Sequence, residues 1–416
     1  MNITLIAGYY PPEQCADTRL NKDLALSLSE MGHNVTVVVP FPSRNVPFKE
    51  TEKYCENNCE IVSDNLKVIR VGSYSGYNES LVRRGIGFML KSIELYETAK
   101  KIPTDIYLVI STPPFLGYVA ALLAKHSKVI YKLQDIFPDS LMHVKNYSEK
   151  HLLVSILRVL EKWVYRNVSL IVTMSEDMKK TVTKRGVSGD RVAIIRDWID
   201  EDACYPVLRE NNILFNEFKL DQRRFYVCYA GNIGLLQNVL TMVYAAKIVE
   251  REYPDIQFVV IGNGVCKAEL ERVIGTEGVN NFHVYPMQPE KILAHIYSLG
   301  DVGIVTVKPD VTKIALPSKT WAVLAAGRPA ICELDKTSEL GALVEKEQCG
   351  YTIAPGDAEA MAKHITYLYQ NQDIASRMGQ NGRAFILRHL TKQQATKKYE
   401  KILEQYYCAE GERIDV

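Results

Sequence analysis

Short runs of β-branched and aliphatic residues alternate along this chain with longer stretches of helical period. The run "NITLIAGYY" is followed by "DTRLNKDLALSLSEMGH" and then by "NVTVVVP". Further runs are "KVIRV", "IYLVIS", "KVIYKLQD", "LIVTMS" and "VAIIRDW", with amphipathic stretches between most of them. Continuous apolar strands alternating with helices predict a parallel sheet covered on both faces. The rhythm pauses over residues 198–222, which are acidic and irregular, and restarts with "RFYVCYAGNIG", "QFVVIGNG", "FHVYPM", "VGIVTV", "PAICE" and "GYTIAP". A second α/β domain is therefore expected, not an extension of the first sheet. From about Asp357 the pattern is helical, and "QATKKYEKILEQYY" is expected as a last helix folding back on the first domain. The expected bounds are 1–200 for the first domain, 201–222 for a linker, 223–385 for the second domain and 386–416 for the returning helix.

Composition narrows the class. The chain has 416 residues, 47% hydrophobic and 24% charged, with a net charge of +1. Two ordinary α/β domains fit that length, and a nucleic-acid protein driven by bulk charge does not fit that charge. Lysine and arginine outnumber acidic residues by roughly 4 in residues 1–200 and fall short by roughly 3 in the remainder. No run reaches the roughly 18 apolar residues of a membrane span, and the opening "MNITLIAGYYPP" is too short for a signal peptide. Nine cysteines are scattered, with Cys55 and Cys59 the only close pair and no His nearby, so reduced cytosolic thiols are expected and zinc is not. These observations point to a cytoplasmic protein.

In open parallel sheets ligands bind beyond the carboxyl ends of the strands, so the loops just after them carry the information. Gly231-Asn232-Ile233-Gly234 follows one strand and Gly262-Asn263-Gly264 follows another. The second is a partial dinucleotide fingerprint with Lys267 in place of its third glycine; a structural turn and a phosphate cradle both remain open for it. Pro317-Ser318-Lys319 opens a helix expected from about Lys319 to Ala326, where Gly327 stops it. A cation at a helix N-terminus gains nothing from the dipole, so Lys319 needs another partner, and an anion is the natural one.

In the first domain Asp17 or Thr18 is expected to cap the helix after the first strand, with Arg19 in its first turn. Arg19 is either simply exposed or aimed at a phosphate. Gln134-Asp135 follow a strand, and Asp135 either binds a sugar hydroxyl or caps a helix. Two stretches, 81–96 with Arg83, Arg84 and Lys91, and 151–168 with Arg158, Lys162, Trp163 and Arg166, are basic and amphipathic. They face either the core or a membrane surface. Asp200-Glu201-Asp202 has the form of a metal site but lies in the linker, and no Walker loop, nucleophile elbow or His-Glu-Xaa-Xaa-His occurs.

Taken in order, "YYPP…TRL…LALSLSEMGHNVTVV", "QDIFPDS", "YAGNIG", "VVIGNG", "PSKTWAVLAAGRPAI" and "GYTIAPGDAEAMAKHI" resemble glycosyltransferase family 4 over nearly the whole chain. That resemblance implies an α/β GT-B fold of two Rossmann-like domains facing a central cleft, with the last helix returning to the first. It also implies a nucleotide-sugar on the second domain and an acceptor on the first. The "PSK" and "AGNIG" forms resemble bacterial transferases that build surface polysaccharide (O-antigen, capsule or exopolysaccharide) on lipid-linked saccharides. Some of these are associated with N-acetylated deoxy-aminosugar donors such as UDP-N-acetylfucosamine. The expected activity is a retaining hexosyltransferase, peripheral on the inner membrane face through residues 81–96 and 151–168, with no cofactor or metal beyond its UDP-sugar. Retention in the family is described as front-face attack, the leaving phosphate taking the acceptor proton, so no general base is assigned. The alternatives are a non-catalytic nucleotide-sugar-binding scaffold and a UDP-sugar epimerase on the same fold.

The chain also departs from the family pattern. The usual Arg and Lys after the first strand of the second domain are Asn232 and Gln237, and the two Glu of Glu-Xaa7-Glu are Ile314 and Ala322. The usual first-domain His is replaced by Gln134 or Asp135. Charge growing on the departing diphosphate must still be stabilised. Lys319 is the expected main cation, Arg19 the second, and Asp135 completes the catalytic set. Gly231, Asn232, Gly234, Gly262, Asn263, Gly264, Pro317, Ser318 and Glu339 are expected around the donor. Tyr285 and Met287 lie in the loop that resembles the family's base-reading segment.

Overall fold

The computed structural model describes residues 1–13, 15–42, 46, 51, 54, 58–72 and 81–408, the side chains of 16, 81–86 and 88 excepted. Cys55 and the side chains of Arg83 and Arg84 lie outside the described residues. The chain divides into two compact units, Met1–Asp197 with Gln393–Val416, and Trp198–Lys392. Residues 201–222 belong to the second unit.

The first unit is built on β1 (Asn2–Ile6), β2 (Asn34–Pro40), β3 (Cys59–Ser63), β4 (Leu66–Val71), β5 (Ile106–Ile110), β6 (Lys128–Lys132), β7 (Leu170–Thr173) and β8 (Val192–Ile194). Their order in the sheet is β3-β4-β2-β1-β5-β6-β7-β8. All neighbours are parallel except β3 with β4. β5 is buried at every position because helices cover both faces. β3 is exposed throughout. Sequence reading missed it: a solvated edge strand has no apolar run, and only the Asp64-Asn65 turn before β4 marks the hairpin.

The second unit contains β9 (Phe225–Ala230), β10 (Ile256–Ile261), β11 (Phe282–Tyr285), β12 (Val302–Thr306), β13 (Ala330–Glu333) and β14 (Gly350–Ile353), all parallel, in the order β11-β10-β9-β12-β13-β14. Renumbered within the unit this is 3-2-1-4-5-6, the doubly wound dinucleotide-binding order. Strand order reverses between β9 and β12, and in the first unit between β1 and β5. Each reversal leaves a crevice at the carboxyl ends of its strands, where a ligand is expected in a sheet of this kind.

The helical tail is three segments, Ala358–Gln370, Gln372–His389 and Lys392–Cys408. The last belongs to the first unit, where Tyr399 is fully buried with its ring 6.0 Å from the Lys132 ammonium. Helix Lys319–Ala325 forms where the Pro-Ser start and Gly stop place it. The first helix, Ala16–Glu30, corrects an expectation: its N-cap is Cys15, whose thiol lies 3.2 Å from the Thr18 hydroxyl, so neither Asp17 nor Thr18 is the cap. Both fall inside the first turn because the helix starts earlier than the polar residues suggested.

Candidate active site

In the second unit the crevice is lined by two glycine loops locked together. The Gly231 N–H donates to Ile261 O (2.9 Å), Ile233 N–H to Asn263 O (2.8 Å), and Cys266 N–H to Ile233 O (3.0 Å). A Cβ on Gly262 would stand 2.0 Å from Gly231 O, and one on Gly264, at φ +157°, 2.2 Å from Ile233 O. These two glycines therefore exist first to let the loops touch. The structural reading of the "GNG" turn holds, and the contact leaves Asn232, Asn263 and Gly264 exposed at the carboxyl edge. Gly234 donates to the Gln237 amide oxygen at 3.1 Å, so Gln237 is spent on shaping the loop.

Lys319 lies against this loop. Its ammonium donates to the Tyr229 hydroxyl and to Asn232 O (3.2 Å), and stands 4.3 Å from the centre of the Tyr229 ring. A Cβ on Gly231 would fall 2.4 Å from Lys319 Cε, so the absence of a side chain there gives the lysine its channel. Burial pushes its pKa down from 10.5 to about 7. Among the described residues no carboxylate pairs with it. Ile314 and Ala322, where the resemblance led to an expectation of Glu, are both buried and apolar. An ammonium desolvated, held by two neutral oxygens and left without a counter-ion at a strand-order reversal is disposed to take an anion. Tyr229 was not singled out from the sequence; its signal was an aromatic with a polar tip just before the glycines of "CYAGNIG".

The other donor candidates are less closely gathered. Pro317 and Ser318 immediately precede Lys319 and are half-buried. Tyr285 ends β11 with its ring stacked on Phe218 (centroids 3.8 Å apart, 4° between planes) and its hydroxyl donating to Phe218 O at 3.3 Å. One face of that ring is thus already covered. Met287 is exposed in the following loop, and Glu339 opens the helix Glu339–Lys346 beyond β13. Sequence reading also missed Glu333 at the end of β13. It is fully buried and accepts from Asn238 (2.6 Å), Thr241 (2.9 Å) and Gly356 N–H (2.6 Å), and burial raises its pKa. Those bonds tie β13 to the start of helix Leu240–Glu250.

In the first unit, Gly8 N–H donates to Thr112 O (3.2 Å) where β1 and β5 diverge. Beneath lies a buried ion pair, Lys132 to Asp197 at 2.8 Å. Burial works against the lysine's charge and Asp197 more than offsets it, so the Lys132 pKa rises. The Gln134 amide completes the pair, donating to Asp197 (3.3 Å) and accepting from Lys132 (3.2 Å). Asp135 follows Gln134 in sequence. Its side chain is exposed, and it makes no hydrogen bond among the described residues. It is no cap either, because helix Asp139–Lys145 begins at Pro138. The residue reaches solvent, but desolvation by the packing around its carboxyl, with the Asp17 and Asp197 carboxylates, pushes its pKa up to about 7. A cavity of 30 Å³ beside it is walled by Ser111, Tyr118, Tyr131 and Phe137. Arg19 lies in the first helical turn, half-buried.

Residues 18–203 match the sequence profile of "Glycosyltransferase Family 4" and residues 210–385 that of "Glycosyl transferases group 1". The chain belongs to glycosyltransferase family 4. This family 4 glycosyltransferase is 24% identical over 377 residues to WcaI of Escherichia coli (strain K12), a glycosyl transferase assigned to colanic acid biosynthesis, covering 88% of this chain and 91% of WcaI. It is 22% identical over 262 residues to the glycosyltransferase WbjE of Pseudomonas aeruginosa, covering 63% of this chain and 64% of that one. Among solved structures, HepE of Anabaena in complex with UDP and glucose superposes with a TM-score of 0.73 at 14% identity, covering 97% of this chain and 100% of that one. WaaG, a glycosyltransferase involved in lipopolysaccharide biosynthesis, superposes with a TM-score of 0.68 at 13% identity, covering 95% of this chain and 98% of WaaG. At these identities the superpositions show the GT-B fold.

Proposed function

We propose that the protein transfers a sugar, with retention, from a UDP-sugar held by the second unit to a lipid-linked saccharide held by the first, in bacterial surface-polysaccharide assembly. The observation that carries this reading is Lys319: a desolvated ammonium with no carboxylate partner, beside exposed glycine-loop backbone at the reversal of a 3-2-1-4-5-6 sheet. As the glycosidic bond to the diphosphate breaks, negative charge grows on the leaving phosphate, and Lys319 stabilises it. The loops at Gly231–Gly234 and Gly262–Gly264, with Pro317 and Ser318, bound the diphosphate, while Tyr285 and Met287 adjoin the base. Glu339 is assigned to the donor as well. Asp135 accepts a hydrogen bond from the acceptor hydroxyl, Arg19 contributes a second cation, and the leaving phosphate takes the acceptor proton. The colanic acid and lipopolysaccharide roles named for WcaI and WaaG, and the UDP bound by HepE, support the substrate classes. An N-acetylated deoxy-aminosugar is the first donor to try.

The test begins with a panel of UDP-sugars in thermal denaturation, where ligand at 100 times its Kd stabilises by about 2.7 kcal/mol. The best donor is then incubated with lipid-linked saccharides, and released UDP and the anomeric configuration of the product are measured. The reading expects UDP release that requires acceptor and a product keeping the donor's configuration. No stabilisation by any UDP compound would point to a scaffold, and donor turnover without acceptor to an epimerase.

A further inference from the structure

Hydrogen bonds close a triangle at the end of β9. The Tyr229 hydroxyl donates to Asn232 O at 2.6 Å, and the Lys319 ammonium donates both to that hydroxyl oxygen and to Asn232 O. Tyr229 is fully buried, and its ring centre lies 4.3 Å from the ammonium. Burial first, and the neighbouring Tyr297 hydroxyl second, hold the Tyr229 pKa above its ordinary value, so the phenol keeps its proton. That proton is committed to Asn232 O, and the phenol turns a lone pair toward Lys319. Both lone pairs of the Asn232 carbonyl are thereby taken. The lysine meets two acceptors and no donor.

Counting donors separates the two states of the lysine. A neutral amine spends both its N–H groups on the two acceptors and keeps a lone pair. An ammonium has three N–H groups, one more than the triangle can take. Among the described residues nothing accepts the third, and no carboxylate pairs with the charge. The titratable groups facing Lys319 are Tyr229 on β9 and, behind it, Tyr297 of helix Leu293–Tyr297, whose hydroxyl donates to Ala230 O at 3.5 Å. The Gly231–Gly234 loop and the rest of helix Lys319–Ala325 bring no titratable side chain. With burial lowering its pKa to about 7, the lysine of the empty protein holds both states near neutral pH.

We infer that Tyr229 is a positioning residue that aims the third N–H of Lys319 at the donor diphosphate, and that the nucleotide binds with uptake of one proton. The inference rests on the donor site proposed above. A neutral Lys319 would turn its lone pair on a phosphate oxygen, acceptor against acceptor. When the amine takes a proton from a buffer acid, that lone pair becomes an N–H bond, and the contact becomes a charge-assisted hydrogen bond. The phosphate in turn supplies the counter-charge that the empty site lacks and favours the ammonium.

Titration calorimetry with UDP tests it, in two buffers of different ionisation enthalpy. The wild type is expected to take up roughly 0.9 proton per UDP at pH 8, where the terminal phosphate, with a pKa of about 6, is already ionised. Its Kd should rise roughly tenfold from pH 8 to pH 9. Lys319→Met should bind weakly, with no uptake and one Kd at both pH values. Tyr229→Phe keeps the ring but removes an acceptor, which disfavours the ammonium and lowers the free lysine's pKa by about one unit. Its Kd should exceed the wild-type value about tenfold at pH 8 and approach it at pH 5, a ratio in which UDP's own titration cancels. A purely structural role for Tyr229 would leave that ratio the same at both pH values. An unchanging ratio, an enthalpy at pH 8 that ignores the buffer, or uptake that survives in Lys319→Met overturns the inference. UDP still binds in each of those outcomes, so the donor site stands. If UDP binds at neither pH 5 nor pH 8, the donor site and this inference fall together.

Discussion

Replacing Lys319 with methionine should make the empty protein more stable and the liganded protein less so. The lysine titrates at about 7 instead of 10.5 because burial penalises its charge. A folded pKa below the unfolded value means the unfolded chain binds the proton more tightly. Below pH 7 both states are charged and the fold bears the whole penalty; the penalty shrinks as pH rises from 7 toward 10.5 and is gone above it. A shift from 10.5 to about 7 corresponds to a ceiling of about 5 kcal/mol at about 1.36 kcal/mol per unit. Lys319 keeps part of its surface in water and two hydrogen bonds, so the expected gain in Lys319→Met is about 1–2 kcal/mol. For a unit of this size that is a rise in Tm of about 2–8 °C at pH 6.5, fading by pH 10. Calorimetric scanning with and without UDP at both pH values reads it directly. UDP should raise the wild-type Tm, and much less that of the variant, with transferase kcat/KM lower by about 2–4 kcal/mol of transition-state stabilisation. An unchanged or lowered Tm at pH 6.5, with the UDP-induced shift intact, would refute the view of Lys319 as a desolvated phosphate ligand.

Three further outcomes follow from the same geometry. Gly231→Ala places a methyl at φ +129° against Lys319 Cε, so it should lose about 1–3 kcal/mol of stability and weaken UDP binding as measured by titration calorimetry. Lys132→Met strands the buried Asp197 and should cost about 3–5 kcal/mol in chemical denaturation, most of it recovered in Lys132→Met/Asp197→Leu. For kcat/KM, Asp135 and Lys319, both near 7, should give a bell centred there: the rising limb is ionisation of Asp135, and the falling limb is loss of the Lys319 proton. Asp135→Asn should remove the rising limb and leave the falling one; a rising limb that survives would exclude Asp135 from the acceptor site.

Local structure follows from short stretches of the chain read alone. Runs such as "IYLVI" and "FVVI", short, rich in β-branched residues and bounded by turn signals, read as strands buried on both faces, so the two α/β halves, the parallel sheets and the helix at Lys319 were legible from period and caps. The edge strand Cys59–Ser63 was not, because a solvated strand has no apolar signature. The resemblance marked where the usual charges were missing, and the sequence could show that Lys319 was an anomaly at its helix end. It could not show what surrounds it. That depends on residues distant in the chain, Tyr229 and Asn232 on β9 and its loop, while the neighbouring Ile314 and Ala322 are buried and uncharged. Whether a lysine is an ordinary surface cation or a desolvated one poised near neutrality is set by the neighbours that exclude water and the carboxylates that fail to arrive. Asp135 makes the same case. Its neighbours Asp17 and Asp197 come from opposite ends of the first unit's main segment, and only the folded sheet brings their charges to bear on it.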